Sequence, residues 1–406
     1  MMKIPSTLWF ISGDFYPDEI GVAYFMTQLA LHFAPSRRVA VLCGLPKYNA
    51  RGRAVPRLEI WKGVRVERCR DSTLDKNRMF QRILMVFVSS FSIFGRALRR
   101  FRRGDTVLVV TSPPLLPFLV RIACAVRGAR CLLRVDDVYP EVFVAAGNMA
   151  PRSLAVKVLV GLNKRLYRSM ERIVVLGRDM EALARAKAGP RFSKKIIVIP
   201  NYADLDLVRP EPKASNPLLK ELGLTGKFVV HNAGNMGRAQ AIETMIGAAE
   251  RLRDRGDIHF LFIGAGAKRG WMESEVRAKA LTNVTLLGER PRTEQNVFLN
   301  ACDITMVSLR SGMAGAGVPS RMYNVMAAGK PILAVVEDHS ELARVVREED
   351  IGWVVSPDDS ARVAEAVVRA ALDPQTVAAM GFRARKAVEA KYHPGRSLTE
   401  YERLFG

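Results

Sequence analysis

The residues best suited to chemistry lie in the segment 303–331, DITMVSLRSGMAGAGVPSRMYNVMAAGKP. A strand-like run ends near Val307, and a loop of glycine and alanine follows from Gly312 to Gly317. Pro319 and Ser320 open a helix that closes at Ala328 and Gly329, since proline suits the first helical turn and glycine the C-terminal cap. The start of such a helix presents free N–H groups and a partial positive charge. Around Gly317 and Ser320 a diphosphate can approach the backbone closely, and Arg321 adds a full charge. Asn324, about one turn further on, is placed to hydrogen-bond a ribose or sugar hydroxyl. The alternative is a flexible loop before a packed helix.

A second strand–glycine–helix turn spans 229–243, where Gly234 and Gly237 permit close approach and Asn235, Arg238 and Gln240 offer polar or charged donors. Alone it is a common pattern. Gly264, Gly266 and Gly270 resemble a dinucleotide fingerprint, but the third glycine falls one residue late and the run sits in mid-chain, so it reads as a loop lining a nucleotide pocket. In the first half, Arg134-Val-Asp-Asp-Val-Tyr-Pro-Glu141 ends a strand. Asp136, Asp137 or Glu141 there is placed to take a proton from an attacking hydroxyl; the aspartate pair equally suits a helix cap. No spacing of His, Cys, Asp or Glu implies a metal.

Residues 78–103 join an apolar core to a basic end, with Phe91 and Phe94 beside Arg96, Arg99, Arg100, Arg102 and Arg103. Aromatic and aliphatic residues next to clustered arginines suit a helix lying at an anionic membrane surface; a core helix with a solvated basic tail is the alternative.

These segments need a scaffold that presents strand ends. Apolar runs at Leu8–Ser12, Arg38–Cys43, Thr106–Thr111, Arg130–Val135, Arg172–Leu176 and Lys195–Ile199 alternate with helical stretches, which predicts a parallel sheet covered on both faces. Pro200–Pro212, rich in proline and aspartate, reads as an interdomain linker. The alternation restarts at 227 and runs through 336, with helices from Ser360 to Phe405. The fold class is therefore α/β, with two doubly wound parallel-sheet domains facing a cleft. The domains expected are 1–200, 213–385, and a C-terminal helix over 386–406 packing back on the first.

The chain has 406 residues, 49% hydrophobic and 25% charged, ordinary for folded domains. Its net charge of +22 is unevenly placed. Residues 1–200 hold 35 Lys and Arg against 14 Asp and Glu, whereas residues 201–406 hold 27 against 26. A polyanionic surface should attract the first half. Aromatics are not interleaved with the basic clusters and no nucleic-acid-binding motif is present, which favours lipid over nucleic acid. Cys43, Cys69, Cys124, Cys131 and Cys302 read as reduced thiols. The start of the chain lacks a secretory pattern, and the longest apolar run is too short to span a bilayer, so a cytoplasmic location is expected.

The chain resembles the retaining glycosyltransferases of family 4, which have the GT-B fold, and within them the fucosyl- and N-acetylfucosaminyl-transferases of bacterial polysaccharide synthesis. The likeness rests on Phe15–Gly21, Thr111–Pro114, Asp137–Glu141, Gly234–Gln240 and Val318–Gly329. It implies an acceptor site in the first domain and a nucleotide-sugar held mainly by the second. Gly21 matches the family's glycine loop. Asn235 and Gln240 stand where a donor-gripping Arg and Lys are usual, and Ala316 and Asn324 replace a common glutamate pair. Asp136 stands at the family's frequent histidine. Arg238 and Arg321 are then left to supply positive charge, and Arg290 and Glu341 complete the expected donor-binding set. The expected reaction transfers a sugar from a UDP-linked donor, a co-substrate rather than a cofactor, to a lipid-linked saccharide at the inner face of the cytoplasmic membrane. A sugar-nucleotide epimerase or a non-catalytic nucleotide- or nucleic-acid-binding protein are the other readings.

Overall fold

A computed structural model describes the chain apart from residues 1–5, 20, 48–49, 51 and 71–78, with 79–83 described by backbone only. The chain divides into a first unit, residues 1–140, 152–199 and 398–406, and a second unit, residues 141–151 and 200–397.

In the first unit the strands are β1 (Leu8–Ile11), β2 (Val39–Cys43), β3 (Leu58–Trp61), β4 (Val64–Arg68), β5 (Thr106–Val110), β6 (Arg130–Val135), β7 (Arg172–Val175) and β8 (Ile196–Val198). The helices are α1 (Gly21–Phe33), α2 (Met79–Arg100), α3 (Leu116–Arg127), then, after α4 of the second unit, α5 (Leu154–Ser169) and α6 (Arg178–Ala188). The sheet order is β3-β4-β2-β1-β5-β6-β7-β8. Apolar residues fill both faces of β1, β2 and β5, as strands buried between helix layers require. Only β3 departs from the parallel set. It pairs antiparallel with β4 through Lys62 and Gly63, both at positive φ (46° and 81°), the geometry a two-residue hairpin needs.

The second unit carries α4 (Glu141–Ala145), α7 (Pro217–Glu221), β9 (Phe228–Ala233), α8 (Ile242–Arg251), β10 (Ile258–Ile263), α9 (Arg269–Ala278), β11 (Val284–Leu287), α10 (Gln295–Leu299) and β12 (Ile304–Ser308). It continues with α11 (Arg321–Ala327), β13 (Ile332–Val335), α12 (Glu341–Glu348), β14 (Gly352–Val355), α13 (Ser360–Leu372) and α14 (Pro374–Lys391). Its sheet is parallel, in the order β11-β10-β9-β12-β13-β14. Val230, Phe260, Phe262, Ile304 and Met306 face α8 and α13, while Val229, Leu261 and Ile263 face α7, so each face has its own apolar core. Fully burying one such Phe or Leu is worth roughly 2 kcal/mol.

The chain passes between the units at 199–200, where the interdomain segment is expected to begin, and 200–212 packs on the second unit: Tyr202, Ala203 and Val208 are buried, Ala203 N–H donates to the Tyr392 carbonyl, and Asn296 and Asn300 accept from Arg209 and Glu211. Residues 386–397 stay with the second unit, and only 398–406 join the first. There the last helix, α15 (Pro394–Phe405), sets Tyr401, Leu404 and Phe405 among Phe10, Phe33 and Val41.

Candidate functional site

In the second unit the chain runs outward from β9 to β10 and β11, then returns past β9 to β12. The connections on either side of β9 and β12 therefore lead to opposite faces, which leaves a crevice at the carboxyl ends of these strands. Three loops meet there: 234–241 after β9, 264–268 after β10 and 309–320 after β12.

The first two loops are laced by backbone hydrogen bonds. Gly234 N–H donates to the Ile263 carbonyl at 2.9 Å, Met236 N–H to Ala265 at 2.8 Å and Lys268 N–H to Met236 at 2.9 Å. A Cβ on Gly264 would lie 2.1 Å from the Gly234 oxygen, and one on Gly266 would lie 2.5 Å from the Met236 oxygen. Both glycines also have positive φ, so no other residue fits this approach. The near-fingerprint spacing thus reports loop-on-loop packing.

Arg321, the first residue of α11, reaches across to the same place. Its Nη1 donates to the Ala233 carbonyl at 3.1 Å and its Nη2 to the Asn235 carbonyl at 3.3 Å, with the guanidinium over Gly234. Burial alone pulls its pKa down to about 10, and among the described residues no carboxylate pairs with it. His231 on β9 is fully buried with neither ring nitrogen partnered, and burial, then Lys330 and Arg321, push its pKa down to about 3. It is a neutral imidazole. Asn232 Oδ1, Ser308 Oγ and Gln240 Oε1 are likewise buried without partners at the ends of β9 and β12 and the start of α8. Buried polar atoms are normally satisfied, so this concentration marks a place where a ligand or water completes the bonding.

The other expected donor residues divide. Asn235 is exposed, its side chain lying between Gly237 and Gly266, and Arg238 is exposed. Gln240 is buried, Gly317 is buried and Ser320 is half-buried just before α11. Asn324 Oδ1 accepts the Asp204 N–H at 3.1 Å, and Asp204 in turn holds Arg292 at 3.2 Å. Arg290 forms a 2.9 Å ion pair with Glu294. Glu341 is buried in the first turn of α12, which Ser340 caps by accepting from Ala343 N–H. Glu337 went unread; its Oε2 accepts from Ala314 N–H and anchors the glycine–alanine loop from 23 residues away.

In the first unit the corresponding switch point lies between β1 and β5. Gly13 N–H donates to the Ser112 carbonyl at 2.9 Å, joining the two loops there. Beside them, Thr111 Oγ1 accepts from both Asp136 N–H and Asp137 N–H at 3.1 Å. Asp136 Oδ1 is held by Arg134 Nη2 at 2.9 Å and Nε at 3.1 Å, and Arg134 Nη1 donates to Tyr401 Oη at 2.8 Å. Arg134 is 2% exposed and also stacks over Phe25 at 5.6 Å. This clamp ties Asp136 Oδ1 into the scaffold of the first unit. Asp137 differs: burial, then the Asp136 charge, raise its pKa from 3.8 to about 7. Glu141 belongs to the second unit, where it starts α4 and Val142 and Ala145 pack on the core around α11. Gly21 is the exposed first residue of α1, at φ 32°.

The α2 helix presents Leu84, Phe87, Val88 and Phe91 to solvent, at i, i+3, i+4 and i+7 spacing. Phe94 is half-buried. Arg96 and Arg100 pair with Glu67, whereas Arg99, Arg102 and Arg103 are exposed. Among the described residues no helix is long and apolar enough to cross a membrane.

Comparison with known proteins supplies the family. The profile described as "Glycosyl transferases group 1" matches residues 218–387, which span β9 to β14 and their helices. WbjE of Pseudomonas aeruginosa, named as a probable glycosyltransferase, is 36% identical over 293 residues, covering 72% of each chain. WcaI of Escherichia coli strain K12, named as a glycosyl transferase of colanic acid biosynthesis, is 24% identical over 294 residues, 71% of each. Among solved structures, Anabaena HepE in complex with UDP and glucose superposes with a TM-score of 0.74 at 13% identity, over 98% of this chain and 99% of HepE. The expected fold, two parallel-sheet α/β domains of GT-B type, is the one found. The 36% identity to WbjE over 72% of the chain, with the profile matched over the second unit, shows that this chain belongs to the group 1 glycosyltransferases.

Proposed function

We propose that the enzyme moves a hexosyl or acetamidohexosyl group from a UDP-linked donor to a hydroxyl of a lipid-linked saccharide, with retention of anomeric configuration, during synthesis of a cell-surface polysaccharide. The observation that carries this reading is Arg321. It is a half-buried cation that pairs with no carboxylate among the described residues, set beside backbone loops that only glycines can form. Burying an uncompensated charge is costly, and an anionic ligand offsets that cost. A nucleoside diphosphate suits the place, and the UDP held by HepE supports the choice of nucleotide. The name of WcaI supports polysaccharide synthesis, and the motifs shared with the fucosyl- and N-acetylfucosaminyl-transferases support that branch.

In the reaction, the bond from the anomeric carbon to the diphosphate oxygen breaks and a new bond forms to the acceptor oxygen. Arg321, exposed Arg238 and loop N–H groups stabilise charge on the departing diphosphate. Asp137, in its ionised form, takes the acceptor proton. The exposed apolar stripe of α2 and the basic end that follows it support work at the inner face of the cytoplasmic membrane.

The test is a thermal-shift panel of nucleoside diphosphates with the full chain. UDP at a hundred times its Kd should stabilise the binding unit by about 2.7 kcal/mol. Arg238→Ala, at an exposed position, should weaken the UDP shift with the unliganded melting temperature unchanged. Absence of a shift with any nucleoside diphosphate overturns the donor assignment.

A further inference from the structure

We propose that α2, α3 and α5 together form one face that seats the first unit on an anionic lipid bilayer, with α5 contributing as much contact as α2. The proposal rests on the membrane location argued above and enlarges its surface from one helix to three.

Water-facing helices should carry polar residues outward. On this face the pattern is reversed. Ile122 and Val126 of α3 are spaced i, i+4 and both exposed, Val126 at 67%. On α5, Leu154, Val158 and Leu162 repeat every four residues and are exposed, Leu154 at 76%. With the stripe of α2, these helices hold 10 of the 14 large apolar side chains exposed among the described residues. The three helices are neighbours. α3 packs against both α2 and α5. Arg127 Nε donates to the Phe101 carbonyl just past α2 at 2.9 Å, and Arg121 Nε donates to the Ser169 carbonyl at the end of α5 at 3.0 Å. A contiguous apolar surface of this kind marks an interaction site.

Charge selects the occupant. The sequences of α2, α3 and α5 contain no Asp or Glu and 10 Lys or Arg. Two copies of this face would set like charges against each other, so a second copy of the chain is a poor fit. An anionic headgroup layer over an acyl core suits it: aliphatic and aromatic side chains enter the acyl boundary while arginine and lysine stems snorkel to the headgroups.

Vesicle flotation tests this with the full chain, using phosphatidylcholine vesicles with and without about a third phosphatidylglycerol at low salt. Wild-type protein should float with the anionic vesicles only and detach as salt rises. The double variant Leu154→Ser/Val158→Ser should partition at least about tenfold less, as should Phe87→Ser/Phe91→Ser. Both should keep the wild-type UDP thermal shift. If the α5 variant floats like wild type while the α2 variant does not, the three-helix face is wrong and the membrane reading stands. If wild-type protein floats with neither vesicle, both fail. Selective binding of duplex DNA, or a dimer in light scattering that the α5 variant dissolves, overturns the proposal in favour of those partners. Val158→Trp gives an independent reading: its added emission should shift to the blue with anionic vesicles, and an unchanged spectrum overturns the placement of α5.

Discussion

Replacing Asp137 by asparagine should make the enzyme more stable and nearly inactive, with a pH dependence that separates the two effects. In the folded protein the Asp137 carboxyl titrates near 7, against 3.8 for an unburied aspartate. Below about pH 4 both folded and unfolded chains hold the proton, and the group costs nothing. As the pH rises through that range the unfolded chain releases its proton while the folded one keeps it, so stability falls. The full cost, reached above about pH 7, is at most roughly 4 kcal/mol. Asparagine matches the protonated shape and carries no charge. Asp137→Asn should therefore melt like wild type near pH 4 and up to about 10 °C higher near pH 8. Activity should move the other way. A base in the acceptor step contributes about a hundredfold to ten-thousandfold, so kcat should fall by that factor. The wild-type kcat/KM should rise through a midpoint near 7 as Asp137 ionises. Circular dichroism melts at several pH values, beside a sugar-transfer assay, check both. A melting difference that does not change with pH refutes the desolvated, protonated carboxyl. Full activity in the variant refutes its role as base.

Other outcomes follow from single contacts. Gly264→Ala, whose Cβ would meet the Gly234 oxygen at 2.1 Å at a φ of 141°, should cost about 3 kcal/mol or more and weaken UDP binding, read by calorimetry. Tyr401→Phe removes the acceptor for Arg134 Nη1 in a buried setting and should cost about 1–3 kcal/mol in the melting of the first unit. Neutral His231, whose pKa falls from 6.5 to about 3, acts oppositely to Asp137: the second unit should lose stability as pH drops below about 6.5, while the first gains. Unit-specific probes in an acid titration should see the two transitions diverge.

Much of the scaffold is legible because its strands are long apolar runs buried on both faces. Arg130–Val135 is found within the limits expected, and the other five strands expected in the first unit are each a residue shorter at one end or both. β3 escapes notice because Leu58-Glu-Ile-Trp61 alternates at a sheet edge and leaves Ile60 exposed. The packing of 200–212 is invisible for another reason: its partners Asn296, Asn300 and Tyr392 are about ninety or more residues away, and local proline and aspartate content says only that no period exists. In the site, the Arg134–Asp136 clamp was within reach of sequence reasoning, since residues i and i+2 of a strand share a face. The target of Arg321 was not, because the carbonyls of Ala233 and Asn235 lie in a loop that folds back from 88 and 86 residues earlier.

The near-neutral charge of residues 201–406 bears on how such a site gains selectivity. A strongly basic domain would attract any polyanion from a distance and release it with salt. Here the Arg321 charge is half-buried, pairs with no carboxylate among the described residues and is held by two carbonyl dipoles in a fixed direction. Those carbonyls stabilise the guanidinium but add no negative charge, so the local field stays positive. Burial first, and then the Lys330 and Arg321 charges, lower the pKa of the neighbouring His231. A ligand must then bring its own negative charge into a shaped, partly dry crevice, where each charged hydrogen bond is stronger than in water. The first unit inverts this arrangement. Its basic residues are spread over an exposed face and suit an extended, loosely ordered surface such as headgroups. The uneven charge along the chain fits the two tasks proposed for it: diffuse attraction of a lipid surface by one unit, and fixed recognition of one diphosphate by the other.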